Sequence, residues 1–142
     1  MSLRRWTALL WSLVFSVGSS GCREELGRDP FVTTRVAGTV RLGSKPVEGG
    51  WIEFAPFDGA VGTLRSAPIR PDGTFAADAV AVGPNSVAIW GAPLPDLYRW
   101  KFASLNSPIR RVIPAGASFT LNIDLLEELV LWKSRAVPVE RR

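Results

Sequence analysis

The stretch RVAGTVRLGSKPVEGGWIEFA, residues 35–55, decides the fold class of this chain. Its first part alternates between apolar and polar residues, which is the period of a strand with one buried face. A Gly-Ser-Lys-Pro turn follows at 43–46, where proline fixes φ and cannot join a ladder. Residues 51–55 then alternate again. The stretch therefore predicts two strands joined by a turn.

The chain up to residue 125 continues this pattern of short strands and turns. Arg70-Pro71-Asp72-Gly73 is its clearest turn, because proline presets φ and glycine takes left-handed angles at no steric cost. Pro68 favours an edge position for the strand that contains it. Seven short strands with no convincing long helix between them predict an all-β fold, a single Greek-key antiparallel β-sandwich over residues 35–125. The predicted strands are 35–42, 51–55, 63–69, 74–80, 86–90, 109–113 and 119–125.

The first 21 residues have the three-part composition of a secretory signal peptide. Arg4 and Arg5 supply a positive region, residues 6–17 an apolar run, and residues 18–21 a run of small residues. The apolar run is about twelve residues long, whereas a membrane-spanning helix needs about twenty. We therefore predict that residues 1–21 are a cleaved signal peptide.

The end of this segment, Ser20-Gly21-Cys22, resembles the lipobox of bacterial lipoproteins, although Ser19 replaces the leucine or other apolar residue usual there. The resemblance implies that Cys22 becomes the lipid-modified N-terminus, followed by a tether over 22–34. Acyl chains, palmitate among them, would anchor the protein stably. Arg23 follows the cysteine instead of aspartate, which by resemblance to enterobacterial sorting favours the outer membrane, on its periplasmic face or at the surface. The alternative is an ordinary signal peptide with a chance cysteine.

The composition restricts the chemistry of the mature chain. It contains no histidine, and Cys22 is its one cysteine. The chain therefore lacks the usual acid–base residue near neutral pH and the usual ligands of zinc. Removal of Arg4 and Arg5 with the signal lowers the net charge from +4 to +2, which leaves no basic stripe for nucleic acid. We predict a non-enzymatic protein with no metal, no cofactor and no nucleic-acid partner.

Carboxylates and aromatic residues are the remaining candidates for function. We interpret five carboxylates as solvated residues of turns and outward strand faces. Trp51 and Trp90 are interpreted as covering the edges of the sandwich. A predicted long loop over 91–108 carries the residue types enriched at binding hot spots. The alternative is that its aromatic residues hold the loop against the sandwich. The carboxylates are Glu53, Asp58, Asp72, Asp78 and Asp96, and the candidate binding surface is Tyr98, Arg99, Trp100 and Phe102.

Several motifs together resemble the carboxypeptidase regulatory-like (transthyretin-like) domain. They are Gly38-Thr39-Val40, the turn at 43–50, the strand end Phe54-Ala55-Pro56 and the turn Asp72-Gly73-Thr74-Phe75. The likeness is greatest to short lipoproteins of planctomycete-type bacteria. It implies an accessory β-sandwich without peptidase activity. The chain departs from the family's P-x-G-x-Y pattern, since Pro84 is followed by Asn85-Ser86-Val87.

The sequence thus predicts a lipid-anchored cell-envelope protein with a non-catalytic module that has a structural or protein-interaction role. Its partners would be the membrane, through the lipid, and another envelope protein or a glycan. The alternative is a carbohydrate- or small-ligand-binding module that uses the exposed aromatics of the 91–108 loop. Residues 126–142 form a C-terminal extension. The sequence allows two predictions for it, a short amphipathic helical turn or a final extended strand.

Overall fold

Eight strands and two helices form the part of the chain that the computed structural model describes, residues 31–103 and 107–136. The predicted signal peptide, Cys22 and most of the tether lie outside the described residues. Strands occur in all seven predicted places, with boundaries shifted by a few residues, and a two-residue strand is added in the first turn. The elements are β1 Thr33–Leu42, β2 Lys45–Pro46, β3 Trp51–Pro56, β4 Arg65–Pro68, β5 Thr74–Ala81, β6 Gly83–Trp90, α1 Asp96–Phe102, β7 Arg110–Ile113, β8 Ser118–Asp124 and α2 Leu125–Ala136.

These strands form two sheets. In the first, β1 lies between β8 and β5, and β2 pairs with the end of β1. In the second, the order is β4-β3-β6-β7 and every pair is antiparallel. The edge position predicted for the strand with Pro68 is confirmed, because β4 is the outer strand of the second sheet. The described chain is therefore mostly β, in agreement with a sandwich-like all-β fold.

One pair of strands departs from the antiparallel prediction. β1 and β8 run parallel, with Arg35 opposite Ser118 and Arg41 opposite Asp124. A tight hairpin forces antiparallel pairing, whereas a crossover allows either direction. The chain reaches β8 from β7, which belongs to the other sheet, so no hairpin constrains the direction of β8 along β1.

The core lies between the inner faces of the two sheets. The alternation predicted for residues 51–55 is confirmed, since Ile52 and Phe54 are fully buried. Phe54 of β3 meets Phe75 of β5 with ring centroids 6.1 Å apart, a contact between the two sheets. The largest fully buried side chains are Val36, Val40, Ile52, Phe54, Phe75, Val80, Ile89, Phe102, Ile109, Ile113, Ile123 and Leu125.

Simple alternation along the predicted strand 74–80 would put Ala79 on the same face as Phe75 and Ala77, but the structure departs from it. The pairing of β1 with β5 shifts register between Thr34 and Val36, and Ala79 has a positive φ of 54°. Two residues of β5 then oppose one of β1, which is a β-bulge. The bulge reverses the faces beyond it, so that Val80 is buried where the simple alternation would expose it.

Two glycines are required sterically in the motifs that resemble the regulatory-like domain. A Cβ on Gly38 would lie 1.8 Å from the carbonyl oxygen of Leu121 in β8. Gly73 has a positive φ of 80°, and a Cβ there would lie 2.7 Å from the carbonyl oxygen of Val40. Any side chain at Gly38 would push β8 off β1, and one at Gly73 would also be strained in the left-handed region.

Both helices lie in the second half of the described chain. Residues 96–102, predicted as part of a loop, form α1, so that prediction is wrong. Of the two predictions for the extension, the helix is confirmed as α2. The Asp124 carboxylate accepts a hydrogen bond from the Leu126 N–H at 3.0 Å and caps the first turn of α2. In the described ranges, neither helix is long and apolar enough to cross a membrane.

Candidate binding surface

Helix α1 carries the residues predicted as a binding surface, but it divides them between the core and the solvent. Phe102 is fully buried and therefore belongs to the core, which corrects its assignment to a surface. Tyr98, one turn earlier, is half-buried and stacks on Phe102 with ring centroids 6.3 Å apart. These two rings hold α1 against the sandwich. For Tyr98 and Phe102 this agrees with the alternative interpretation, in which the aromatic residues of the 91–108 segment hold it against the sandwich.

Arg99 and Trp100 face the solvent. Trp100 is 75% exposed, more than any other large hydrophobic residue in the described ranges. The Arg99 guanidinium forms an ion pair with Asp96 one turn earlier on the same helix. Only these two of the four predicted residues are therefore well placed to meet a partner.

Lys101 connects α1 to α2. Its ammonium nitrogen lies 3.4 Å from the ring centroid of Trp132 and 5.8 Å from that of Trp100. A cation over an indole face is attracted by the ring quadrupole. Trp132 is itself half-buried against the core. Its contact with Lys101 therefore holds the end of α1 that carries Trp100 against the rest of the protein.

A second aromatic surface lies on the outer face of the β4-β3-β6-β7 sheet. Trp51 and Trp90 are directly opposite each other on β3 and β6, and they are 52% and 40% exposed. Because Ile52 and Ile89 point into the core, their neighbours in the strands must point outward. We call this pair, together with Glu53 beside it on β3, the tryptophan face.

The interpretation of these two rings as covers for the sandwich edges stays a prediction, because Trp90 ends β6 beyond Gly83–Ser86, the residues that pair with β7. β3 and β6 are the two inner strands of their sheet, flanked by β4 and β7. Alternation in residues 51–55 correctly separates Trp51 from Ile52 and Phe54. The missing information was the strand order, which sets where on the sheet the outward tryptophans lie.

The far end of the same sheet face is polar and basic. The Arg110 guanidinium donates a hydrogen bond to the carbonyl oxygen of Ser107 at 2.7 Å and contacts the hydroxyl of Ser86. It also lies 5.0 Å from the ring centroid of Phe57. Val112, next on that side of β7, is 70% exposed. The outer face therefore offers apolar rings at one end and a positioned guanidinium at the other.

The five predicted solvated carboxylates are exposed in the structure, except for Glu53, which is half-buried. Asp72 has a structural role, since its carboxylate accepts hydrogen bonds from the Thr74 hydroxyl at 2.7 Å and the Thr74 N–H at 3.0 Å. These bonds hold the pKa of Asp72 below its ordinary value. Among the residues that the structure describes, no three histidine, cysteine, aspartate or glutamate side chains cluster in a way that would hold a metal ion.

Two buried polar groups were not identified from the sequence. Asn85 is fully buried, and its amide donates to the carbonyl oxygens of Ala81 at 2.8 Å and Gly83 at 3.0 Å, which closes the turn between β5 and β6. Glu128 of α2 is buried and pairs with Arg111 of β7. The position of Asn85 directly after a proline in a turn is a weak sequence signal for its role. Nothing in the sequence indicates that Glu128 is buried and paired with Arg111.

The sequence matches no protein-family model, no curated protein and no solved structure.

Proposed function

We propose that this chain is a lipid-anchored cell-envelope protein whose β-sandwich is a non-catalytic module that docks another envelope protein. In this proposal residues 1–21 are removed on export, and Cys22 carries the lipid in the outer membrane. Residues 35–125 form a Greek-key sandwich of the carboxypeptidase regulatory-like type. The lipobox resemblance supports the anchor, and the motifs with Gly38 and Gly73 support the fold family.

The tryptophan face is the observation that carries the docking role. Tryptophan is enriched at binding hot spots because it supplies a large contact area with few rotatable bonds. Trp51 and Trp90 lie on two strands that are hydrogen-bonded to each other, and β4 pairs with β3 on the other side of Trp51, so the surface is ordered before a partner binds. Rigidity lowers the entropic cost of binding.

The anchor would limit where such a partner can be. Ten residues separate Cys22 from Thr33, the first residue of β1. Even fully extended, a segment of this length reaches only about 35 Å. The module would therefore stay close to the membrane surface and meet partners that are themselves at the membrane.

Labelling with a palmitate analogue, followed by membrane fractionation, tests the anchor. The native protein should be labelled and sediment with membranes, whereas Cys22→Ala should be unlabelled and lose this association. A native protein that is unlabelled and found in the soluble fraction would refute the lipid anchor. It would show that a lipobox with Ser19 in place of the usual apolar residue is not recognised.

Site-specific photo-crosslinking tests the docking role separately. A photoreactive residue in place of Glu53, within the tryptophan face, should form one defined adduct with an envelope protein. Trp51→Ala with Trp90→Ala should abolish that adduct. The same photoreactive residue at the exposed Val61 serves as the control and should not form it. An adduct that persists without both tryptophans would contradict docking at this face.

A carbohydrate-binding module is the second candidate, favoured by the high exposure of Trp100 beside Arg99 on α1. An exposed indole can stack on a sugar ring, and an arginine can donate hydrogen bonds to its hydroxyls. A glycan array should then show binding that Trp100→Ala removes and Trp51→Ala leaves intact. Absence of binding across a broad array would eliminate this candidate.

Catalysis would contradict both candidates. A purified protein with an activity that a single carboxylate substitution abolishes would show the module to be an enzyme. The five carboxylates named above are the ones to substitute in that assay.

A further inference from the structure

Both sheets bring chain segments together at the end of the sandwich where the chain enters β1. Thr33, the first residue of β1, pairs with Ala81 at the end of β5. Ile113, at the end of β7, pairs with Gly83. The loop between β3 and β4 packs on the same turn, since a Cβ on Gly62 would lie 2.4 Å from that of Ala81. We call this part of the molecule the tether end; it comprises residues 31–33, 57–64, 81–84 and 112–114.

The tether end exposes apolar side chains from three separate segments. Val32, Val61 and Val112 are each between 65% and 70% exposed, and Phe57 is exposed as well. Single exposed apolar residues are normal on a protein surface, whereas a contiguous group marks contact with a protein or a membrane. Whether these four form such a group depends on the contacts between their segments.

Backbone hydrogen bonds and strand pairing hold the three segments side by side. The Phe57 N–H donates to the carbonyl oxygen of Pro84 at 3.1 Å, and Pro84 pairs with Val112 across the sheet. The Val82 N–H donates to the carbonyl oxygen of Val32 at 3.1 Å. Residues 82 and 84 belong to one short turn, so the exposed apolar side chains gather around that turn.

The position of the tether indicates what covers this group. Phe31, the first residue that the structure describes, lies at the tether end, so the preceding chain attaches there. Residues 23–30 contain one leucine, Leu26, among charged residues, glycine and proline, and they offer little apolar surface of their own. In the proposed function Cys22 carries a lipid in the membrane. The tether end is then the part of the sandwich nearest to the bilayer.

We propose that the tether end rests on the surface of the lipid bilayer, with the four exposed apolar side chains inserted among the headgroups. Burial of apolar area at this boundary favours binding, and a short tether keeps the bilayer at a high local concentration. The nearness of the bilayer rests on the proposed function, whereas the apolar group is a feature of the sandwich itself.

Arg110 places a cation beside the apolar group. Its guanidinium lies 5.0 Å from the ring centroid of Phe57, and the residue is exposed. A guanidinium in this position can donate hydrogen bonds to lipid phosphates. Asp58, an exposed carboxylate of the same end, opposes it. The net attraction to anionic lipid is therefore small, and the apolar side chains carry the contact.

This orientation leaves the tryptophan face accessible. β3 runs from Trp51 towards the tether end, and Phe57 lies six residues further along the chain. At about 3.4 Å per residue, the tryptophans are about 20 Å from the bilayer surface. The module can therefore contact the bilayer and an envelope protein at the same time.

An environment-sensitive dye on single cysteines tests the contact. The full-length protein with Cys22→Ala receives Val61→Cys or Val112→Cys, or, as the control, Ser44→Cys in the turn at the opposite end of β1. Vesicles of phosphatidylethanolamine and phosphatidylglycerol should raise the dye emission several-fold at 61 and 112 and leave it unchanged at 44. Equal responses at all three positions, or none, would overturn the proposal. A rise with protein concentration in the absence of vesicles would also overturn it, in favour of a second copy.

Charge substitution separates contact by the sandwich from mere tethering. With the dye at 112, Val32→Asp with Val61→Asp should abolish the response. Ser44→Asp with Leu97→Asp adds the same charge at exposed positions of the opposite end and should preserve it. A response that survives the first pair would show that the N-terminal chain alone brings the dye to the vesicle, and would overturn the proposal. Every variant lacks Cys22, so these outcomes are independent of lipidation, which the palmitate labelling tests.

Discussion

The strand region from β1 to β6 and the helix-bearing region from α1 to α2 are held together differently. In the first, local chemistry forms the turns that join the strands: the turn before β5 closes through hydrogen bonds between Asp72 and Thr74, two residues apart. In the second, the contacts connect residues from separate elements. Lys101 of α1 meets Trp132 of α2, and Arg111 of β7 meets Glu128 of α2.

This difference explains which parts could be anticipated. A hairpin needs only its own turn residues and alternating side chains, and all of these are visible in sequence. The spacing of Leu125, Leu129 and Trp132 suits a helix, but a short apolar segment can also be extended. Packing against Arg111 and the cap from Asp124 select the helix.

The largest effect is expected at a close backbone contact between β1 and β8, which are neighbours in the first sheet. Gly38→Ala should destabilise the protein by more than about 4 kcal/mol, because the new Cβ would overlap the carbonyl oxygen of Leu121 and displace β8. Urea unfolding measures this change. Gly116→Ala is the control, since a Cβ there meets no atom within 4 Å. Similar stabilities for the two variants would show that β8 is not held against β1 as described.

A smaller but still large effect separates the two ends of α1. Phe102→Ala should cost about 3–4 kcal/mol, because it empties a fully buried aromatic site. Trp100→Ala should change the free energy of unfolding by about 0.5 kcal/mol or less, because the side chain is exposed. Thermal or urea unfolding of both variants checks the contrast. Equal losses would mean that Trp100 supports the fold and is not available as a binding residue.

The ion pair between β7 and α2 should respond asymmetrically. Arg111→Met leaves the Glu128 carboxylate, whose side chain is only 8% exposed, without its partner and should cost about 3 kcal/mol. Glu128→Gln leaves an arginine that still reaches water and should cost about 1 kcal/mol. Replacing the pair together, Arg111→Met with Glu128→Leu, should recover most of the loss. Urea unfolding of the three variants tests this, and equal costs for the two single changes would contradict the burial of Glu128.

The smallest effect is electrostatic and lies within the strand region. The Thr74 hydroxyl lowers the pKa of Asp72 in the folded state, so Thr74→Val should raise that pKa toward the ordinary value of an aspartate. A folded-state pKa below the unfolded one means that the stabilisation is present above the unfolded pKa. It is lost as the pH falls through the folded pKa. NMR titration of the Asp72 carboxyl measures the shift.

Thr120→Val, at an exposed position of β8, is the control for that titration and should leave the pKa of Asp72 unchanged. If Thr74→Val also leaves it unchanged, the hydroxyl does not hold the carboxylate as described.

For the two candidate surfaces, as for the fold, the sequence predicts one part and the tertiary structure determines the rest. The alternation in residues 51–55 is enough to put Trp51 on the outward side of its strand. Its pairing with Trp90 could not be anticipated, because the register and the order of strands depend on contacts across the sheet. On α1, the cluster of aromatic residues is visible in the sequence. Which of them is exposed depends on the direction that each side chain takes from a helix, where the sequence predicts a loop.

The positions of the strands, the turn at Asp72-Gly73 and the buried residues of β3 can therefore be predicted from the sequence, because period-two alternation and turn chemistry act over a few residues. The tertiary structure alone decided the parallel course of β8, the bulge at Ala79, the helix α1 and the burial of Glu128. Each of these depends on atoms brought together from distant parts of the chain: β8 on the free side of β1, and Glu128 on the guanidinium of Arg111. These interactions form only in the folded sandwich, so no local sequence pattern predicts them.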